Sequence, residues 1–275
     1  MIFYFTGTGN TRWAAQTLAA ATGERLLNIA DELKHDKQEY TLAEGERLGF
    51  CFPTHGWQPP HIVREFIRRS TFHLSPSTLN LQPSALHPQQ EGAPYIFALT
   101  THGDSMGQTM EILNKELAAK GLHTDSVYSL TMPESYVCLP FMYTDKPEKE
   151  RAKIAQATKE LERICEEVKA CRRGIARTVK GATPRLYSYV IGAYFNSHMI
   201  TDKKFMVDAD RCIGCGKCAE VCPVDNITGT PPQWKHNDRC TCCLACYHYC
   251  PVHAINYGER TRKRGQYHFK LKIED

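Results

Sequence analysis

Apolar positions along the chain cluster in short runs separated by polar, turn-forming stretches. Ile2 to Phe5 is the first run; Thr6-Gly7-Thr8-Gly9-Asn10-Thr11-Arg12 follows at once, and then a helical spacing of apolar residues from Trp13 to Ala21. Similar runs at Arg25 to Ile29, Arg47 to Phe52, Pro94 to Thr100 and Ser126 to Leu130 predict further strands, with helical patterns at Pro60 to Arg69 and Ser105 to Lys120 between them. Strands alternating with helices predict an α/β domain, a doubly wound five-stranded parallel sheet with right-handed crossovers. Ligands of such sheets sit beyond the carboxyl ends of the strands, so the loops there are the ones to inspect.

Pro147 to Arg173 reads as one long helix. Ile154, Ala157, Leu161, Ile164, Val168 and Cys171 recur three and four apart, with Pro147 near the start and Gly174 after the end. Covering the sheet is the expected use of this face, because its two small residues make a weak coiled-coil seam. Thr178 to Pro184 is a linker punctuated by Gly181 and Pro184. Leu186 to Phe195 is apolar and aromatic, and is expected to dock one domain on the other, with membrane association as the alternative.

Length and composition bound this picture without changing it. The chain has 275 residues, 42% of them hydrophobic, enough for one large or two modest domains. No stretch approaches the roughly 20 apolar residues that span a bilayer. Met1 leads directly into a strand-like run, so no signal peptide is expected. Thirteen cysteines without an export signal point to a reducing compartment, the cytoplasm, and to metal binding rather than disulfides.

Charge adds an asymmetry. Residues 1–150 carry 12 Lys and Arg against 17 Asp and Glu, and residues 151–275 carry 22 against 13, so −5 and +9 make up the overall +4. The stretch Arg260-Thr-Arg-Lys-Arg264 resembles a nucleic-acid arm, yet no nucleic-acid motif accompanies it. Steering an acidic redox partner is the expected use.

The most specific feature is a repeated cysteine run. Cys212-x-x-Cys215-x-x-Cys218-x-x-x-Cys222-Pro223 recurs as Cys240-x-x-Cys243-x-x-Cys246-x-x-x-Cys250-Pro251. Zinc takes four ligands as two pairs, whereas two runs of three plus a fourth before proline form the ligand pattern of iron–sulfur clusters. Cys242 is extra, and reads as a small buried hydrophobe packed beside a cluster; Cys51, Cys138, Cys165 and Cys171 read as structural. This part of the chain resembles the bacterial two-[4Fe-4S] ferredoxins. The resemblance implies crossed ligation: Cys212, Cys215, Cys218 and Cys250 on one cluster, and Cys240, Cys243, Cys246 and Cys222 on the other.

The loop after the first strand is a phosphate cradle of hydroxyls and backbone N–H groups at a helix N-terminus. A Walker loop needs Gly-Lys-Ser/Thr, which is absent. A dinucleotide fingerprint matches at Gly7 and Gly9, with Asp31 at the ribose position, but puts Arg12 where a small residue belongs. Thr6, Thr8, Gly9 and Thr11 fit the Thr-rich turn of flavodoxins, and a capped turn without a ligand is the alternative. Beyond the later strands lie Thr54-His55-Gly56-Trp57 and Thr101-His102-Gly103-Asp104.

These loops make the N-terminal part resemble flavodoxins, and the whole chain resembles a flavodoxin/ferredoxin fusion family of anaerobic bacteria and archaea. The resemblance implies FMN held by Thr6, Gly7, Thr8, Gly9, Asn10 and Thr11 at its phosphate, and by the loops Thr54–Trp57 and Thr101–Asp104 at its ring. It implies that Trp57 stacks on the flavin and that the Gly56 peptide faces flavin N5. The domains expected are 1–175, flavodoxin-like; 176–203, a linker with an apolar docking segment; 204–260, a small α+β two-[4Fe-4S] ferredoxin; and 261–275, a basic tail. The function implied is electron transfer between two [4Fe-4S] clusters and FMN, with redox proteins as partners. The alternative is an FMN-dependent reductase of a small acceptor, a quinone, nitro compound or flavin; His55, His102 and Asp104 are its candidate proton donors, and no catalytic acid stands out. Tyr136, in the loop Pro133 to Pro140, is a candidate to close over the flavin or the ferredoxin module, with packing on the sheet edge as the default.

Overall fold

The computed structural model describes residues 1–74 and 94–270. Its N-terminal part contains β1 (Ile2–Tyr4), α1 (Asn10–Thr22), β2 (Leu26–Asn28), α2 (Ile29–Lys34), β3 (Glu39–Leu42), β4 (Leu48–Pro53), α3 (His61–Arg69), β5 (Thr71–Leu74), β6 (Ile96–His102), α4 (Thr109–Ala118), β7 (Ser126–Thr131), α5 (Pro147–Lys169) and β8 (Ile175–Arg177). One parallel sheet runs in the order β2-β1-β4-β6-β7-β8. Its first five strands are the expected ones, and without β8 their order, 2-1-3-4-5, is compatible with a flavodoxin-like domain.

The sheet has six strands, not the expected five. Gly174, with φ +76°, turns the chain after α5 and lets its N–H reach the Asp125 carbonyl at 2.8 Å, which lays Ile175–Arg177 beside β7. Three residues ending in an arginine give no apolar run to see in the sequence. The two-stranded parallel pair β3–β5 was likewise unannounced. On β3, Tyr40 and Leu42 are buried while Glu39 and Thr41 are exposed, so a strand of alternating character sits at the edge of the core.

Alternation on the central strands sets the two faces. Met1, Phe3 and Phe5 join the core under α3 and α4, whereas Ile2 packs beneath α1 and α5. In α5, Ala157, Leu161, Ile164 and Val168 lie in this second core, so the helix covers the sheet as expected. Cys51 and Cys165 are buried there, and Cys138 is buried in the third cluster, between the two halves. Among the described residues no helix is long and apolar enough to cross a membrane.

The C-terminal half is a two-fold repeat. The antiparallel pair β9 (Phe205–Val207) and β12 (Ile255–Tyr257) closes its ends, and β10 (Ile227–Thr228) pairs with β11 (Gln233–Trp234). Each cysteine run enters a short helix, Lys217–Glu220 or Ala245–His248. The two runs match in backbone: Gly214 and Gly216 have φ +67° and +71°, and the equivalent Cys242 and Leu244 have +49° and +59°. Cys242 thus occupies a left-handed position that glycine fills in the first run.

The basic C-terminal stretch packs back over both halves. Arg264 donates to the Pro140 carbonyl at 2.7 Å and lies over the Tyr143 ring; Arg260 donates to the Cys138 carbonyl. The Tyr267 hydroxyl donates to Asn10 Oδ1 at 2.6 Å, the Phe269 N–H donates to the Thr8 carbonyl, and the Phe269 ring stacks on Trp13. Arg260 and Arg264 are therefore spent on carbonyls of the same chain, and Arg262 pairs with Asp208 and Glu259. Residues 271–275 of the expected tail lie outside the described residues.

Candidate functional site

Two small cavities and one large cleft gather the candidate residues. Cys212, Cys215, Cys218 and Cys250 line the first cavity, together with Gly214, Gly216 and Pro232. Cys222, Cys240, Cys243 and Cys246 line the second, with Val224, Trp234 and Leu244. Each cavity thus collects three thiols of one run and the fourth of the other. Left-handed turns after Ile213 and Cys215, and their equivalents in the second run, fold the thiols inward.

Backbone N–H groups point at three of these sulfurs. Asn226 donates to Cys222 Sγ at 3.3 Å, Cys242 to Cys240 Sγ at 3.4 Å and Ala254 to Cys250 Sγ at 3.2 Å. Burial pushes the Cys243 thiol up to about 11 and raises Cys240 and Cys246 as well. Thiols in such a site become thiolates only when a cationic centre compensates the lost water. Among the described residues, no three His, Cys, Asp or Glu side chains converge closely enough for a single metal ion. The thiols surround two small cavities instead.

The cleft lies where the carboxyl ends of β1, β4 and β6 meet the second cysteine run. Thr6, Gly7, Thr8, Asn10, Thr11, Thr54, His55, Gly56, Trp57, Thr101, His102, Gly103 and Asp104 all line it. Of the expected loop residues only Gly9 does not; with φ +96° it forms the turn that starts α1, and its N–H donates to Thr6 Oγ1 at 3.2 Å. The volume of the cleft is about 170 Å³.

Hydroxyls tie the three loops together. Thr11 and Thr101 share a hydrogen bond of 2.8 Å, as do Thr54 and Thr100 at 3.0 Å. The backbone of Gly7 presses on the second cysteine run: a Cβ on Gly7 would lie 2.8 Å from Cys243 Cβ and 2.9 Å from its carbonyl oxygen. Cys243 accordingly lines both the second thiol cavity and the cleft.

Several lining residues carry no sequence signal. Glu134, Leu139 and Met142 come from the loop after β7, Phe195 from the helical segment 184–199, and Thr241, Cys242 and Leu244 from the second run. Tyr136, singled out in the sequence, does close this wall, meeting Phe195 edge-on at 5.3 Å. Cys242 is buried as expected, but it faces the cleft and lines neither thiol cavity.

Trp57 is only partly available for stacking. Its indole N–H donates to Ser105 Oγ at 3.2 Å, and Tyr187 packs on its ring at 4.7 Å. Of the apolar residues in segment 186–195, expected to dock one half on the other, Tyr187 and Phe195 pack inward, on Trp57 and Tyr136. Ser188 and Asn196 bind loop carbonyls and N–H groups beside the cleft, while Leu186, Tyr189, Val190 and Tyr194 face outward. Unpaired backbone groups of those loops need polar partners, and these the apolar residues lack.

A half-buried and a buried histidine set the electrostatics of the cleft. Burial lowers His55 to about 3 and His102 to about 4, and both ring nitrogens of His102 are buried without a hydrogen-bond partner among the described residues. The carboxyl of Glu134 is raised by burial, against the N–H groups of Ser135 and Tyr136 that it accepts. Both histidines stay neutral in the folded protein while their unfolded counterparts gain protons below about 6.5. Their contribution is thus present above pH 6.5 and lost as pH falls towards 4. The urea midpoint should fall across that window, and His102→Gln should flatten the dependence of stability on pH by up to about 1.4 kcal/mol per pH unit, the effect of one proton. An unchanged slope would show that His102 does not titrate this way.

Comparison with known proteins agrees with the thiol cavities. Residues 205–228 match the family model described as a 4Fe-4S binding domain. A stretch of 20 residues is 65% identical to Ferredoxin-2 of Desulfomicrobium norvegicum (strain DSM 1741 / NCIMB 8310), covering 7% of this chain and 34% of that protein. The chain thus spans about a third of the length of that curated relative. No solved structure matches the chain. A 4Fe-4S binding domain near the C-terminus is what these findings establish.

Proposed function

We propose that the protein passes electrons between two [4Fe-4S] clusters and an FMN held in the cleft. Cys212, Cys215, Cys218 and Cys250 hold one cluster, and Cys240, Cys243, Cys246 and Cys222 the other. The observation that carries the reading is Cys243, the cluster ligand that, with Thr241 and Leu244, lines both the second thiol cavity and the cleft. A flavin in the cleft is then separated from a cluster by one side chain.

The residues fit these groups. Four thiols around each cavity supply one ligand per cluster iron, and the N–H groups of Asn226, Cys242 and Ala254 temper the charge on the sulfurs. In the cleft, the start of α1 offers N–H groups and threonine hydroxyls to a phosphate. The unpartnered nitrogens of His102 and the unpartnered hydroxyl of Thr241 await polar atoms of a ligand, while Tyr136, Leu139, Met142 and Phe195 exclude water from its ring.

When bound, clusters exchange single electrons and a flavin one or two, so together they couple one-electron and two-electron carriers. The chain's own part is positional. The contact of Gly7 with Cys243 fixes the separation, and the Tyr267–Asn10 and Phe269–Thr8 bonds lock the two halves in register. The excess of cations in the second half suits acidic redox proteins as partners.

Anaerobically purified protein is expected to hold about eight irons and one FMN. Rapid mixing should then show a cluster-to-flavin transfer rate independent of protein concentration. A rate rising linearly with concentration, or a cleft empty of flavin, would overturn the reading. The orphaned nitrogens of His102 favour one further reading, reduction of a small acceptor in the cleft; saturable turnover of a quinone or nitro compound would mark it.

A further inference from the structure

The helical segment 184–199 is folded with its polar face inward. Ser188, fully buried, accepts from the Gln108 N–H at 2.7 Å and donates to the Trp57 carbonyl at 2.8 Å. Asn196 donates to the His55 carbonyl, and a Cβ on Gly192 would overlap the Gly56 carbonyl oxygen. These small and polar residues hold the helix on the loops of the cleft along a narrow stripe.

Its outward residues are apolar. Leu186, Tyr189, Val190, Ile191 and Tyr194 are 50, 53, 61, 42 and 61% exposed. Single exposed apolar residues are ordinary, but five within nine positions of one helix, opposite its anchoring stripe, form a patch that calls for a cover.

Charge decides which cover fits. From Val168 to Thr201 the chain has no Asp or Glu. Arg185 stands at one end of the apolar face and Lys203 and Lys204 follow the other, all exposed, with no carboxylate within ion-pair distance among the described residues. An apolar face about 12 Å long, carrying tyrosines and bounded by cations, matches helices that lie in the headgroup layer of anionic membranes. We propose that the outer face of segment 184–199 docks the protein on an anionic lipid surface. The proposal goes beyond the redox reading and stands whether or not the cleft holds a flavin.

The test is flotation of the anaerobically purified, cluster-loaded protein with vesicles of phosphatidylcholine, alone or mixed with phosphatidylglycerol. Recovery with the anionic vesicles should exceed that with neutral ones by at least about tenfold and decline as salt is added. It should be lost in the Leu186→Glu/Val190→Glu double variant, with iron content and unfolding midpoint unchanged. Absence of anionic-vesicle recovery, or its persistence in the double variant, would overturn the proposal. So would a dimer broken by the double variant without any vesicle binding, which would assign the face to a second copy of the chain.

Discussion

Cys250→Ser is expected to strip iron from both thiol cavities. Cys250 lines the first cavity, yet its chain neighbours belong to the second: Cys246 sits on the helix Ala245–His248, and the Cys250 N–H donates to the Tyr247 carbonyl of that helix. Gln266 also binds the carbonyls of Tyr247 and Cys250, at 2.6 and 2.9 Å. Losing the thiolate leaves the first cluster with three protein ligands and frees the turn that presents Cys246. Cys222→Ser should do the same in reverse.

The size of the effect follows from what metal sites contribute to folding. Losing an outer-shell partner costs about 10–100-fold in metal affinity, and a direct ligand more. Metal-binding free energy is also folding free energy, so the serine variants should unfold at lower urea as well. Iron and sulfide analysis after anaerobic purification reads the first effect and far-UV circular dichroism the second. Cys242→Ala, at a position lining neither thiol cavity, is the control and should keep its iron. A Cys250→Ser protein that lost only one cluster and kept its unfolding midpoint would contradict crossed ligation as a structural coupling.

Gly7→Ala is the second large effect. Gly7 does not adopt a positive φ, so alanine suits its backbone, and the added methyl acts only through what it touches. It would stand 2.8 Å from Cys243 Cβ and 2.9 Å from the Cys243 carbonyl oxygen. Neither atom is the end of a flexible side chain, so the loop and the cysteine run must separate. Overpacking of this kind costs about 1–3 kcal/mol, or about 5–150-fold in the equilibrium that holds the halves together.

Flavin-to-cluster transfer should slow, because the contact that sets the separation is the one displaced. Gly7 itself lines neither thiol cavity, so any loss of iron would come through a displaced Cys243, and iron analysis separates that from slowed transfer. Rapid mixing at a fixed protein concentration measures the rate, and limited proteolysis between residues 178 and 184 reports on the docking. An unaltered rate in a correctly folded Gly7→Ala protein would mean that electrons cross elsewhere.

Much of this arrangement could be read in the residues. The repeated cysteine run announced two cavities of four thiols, because the chemistry of the ligands fixes their spacing along the chain. Thirteen of the fourteen loop residues expected in the cleft do line it, since β1, β4 and β6 carry unmistakable apolar runs and their ends define the loops. The apolar face of α5 was legible for the same reason. By contrast, Ile175–Arg177 is too short and too polar to read as a strand, and it joined the sheet because Gly174 turned the chain back on β7.

The segment Leu186 to Phe195 shows where apolar content misleads. Its composition suggested a docking surface, whereas the fold anchors it by Ser188, Gly192 and Asn196, turns Tyr187 and Phe195 inward, and leaves Leu186, Tyr189, Val190, Ile191 and Tyr194 outside. Periodicity tells which residues share a face. It does not tell which face meets loops whose backbone groups need partners.

By itself, then, the sequence determined the local chemistry: the ligand register of the two cysteine runs, the hydroxyl-rich turn before α1 and the strands that carry the loops. These depend on spacings of a few residues, which covalent geometry transmits directly. Only the tertiary structure decided that Cys243 separates the cleft from a thiol cavity, that Glu134, Phe195 and Thr241 complete the cleft, and that the basic C-terminal stretch straps the halves together through Tyr267 and Phe269. Those relations join residues up to 257 positions apart. They arise from packing between surfaces, and no short-range pattern encodes which surfaces will meet.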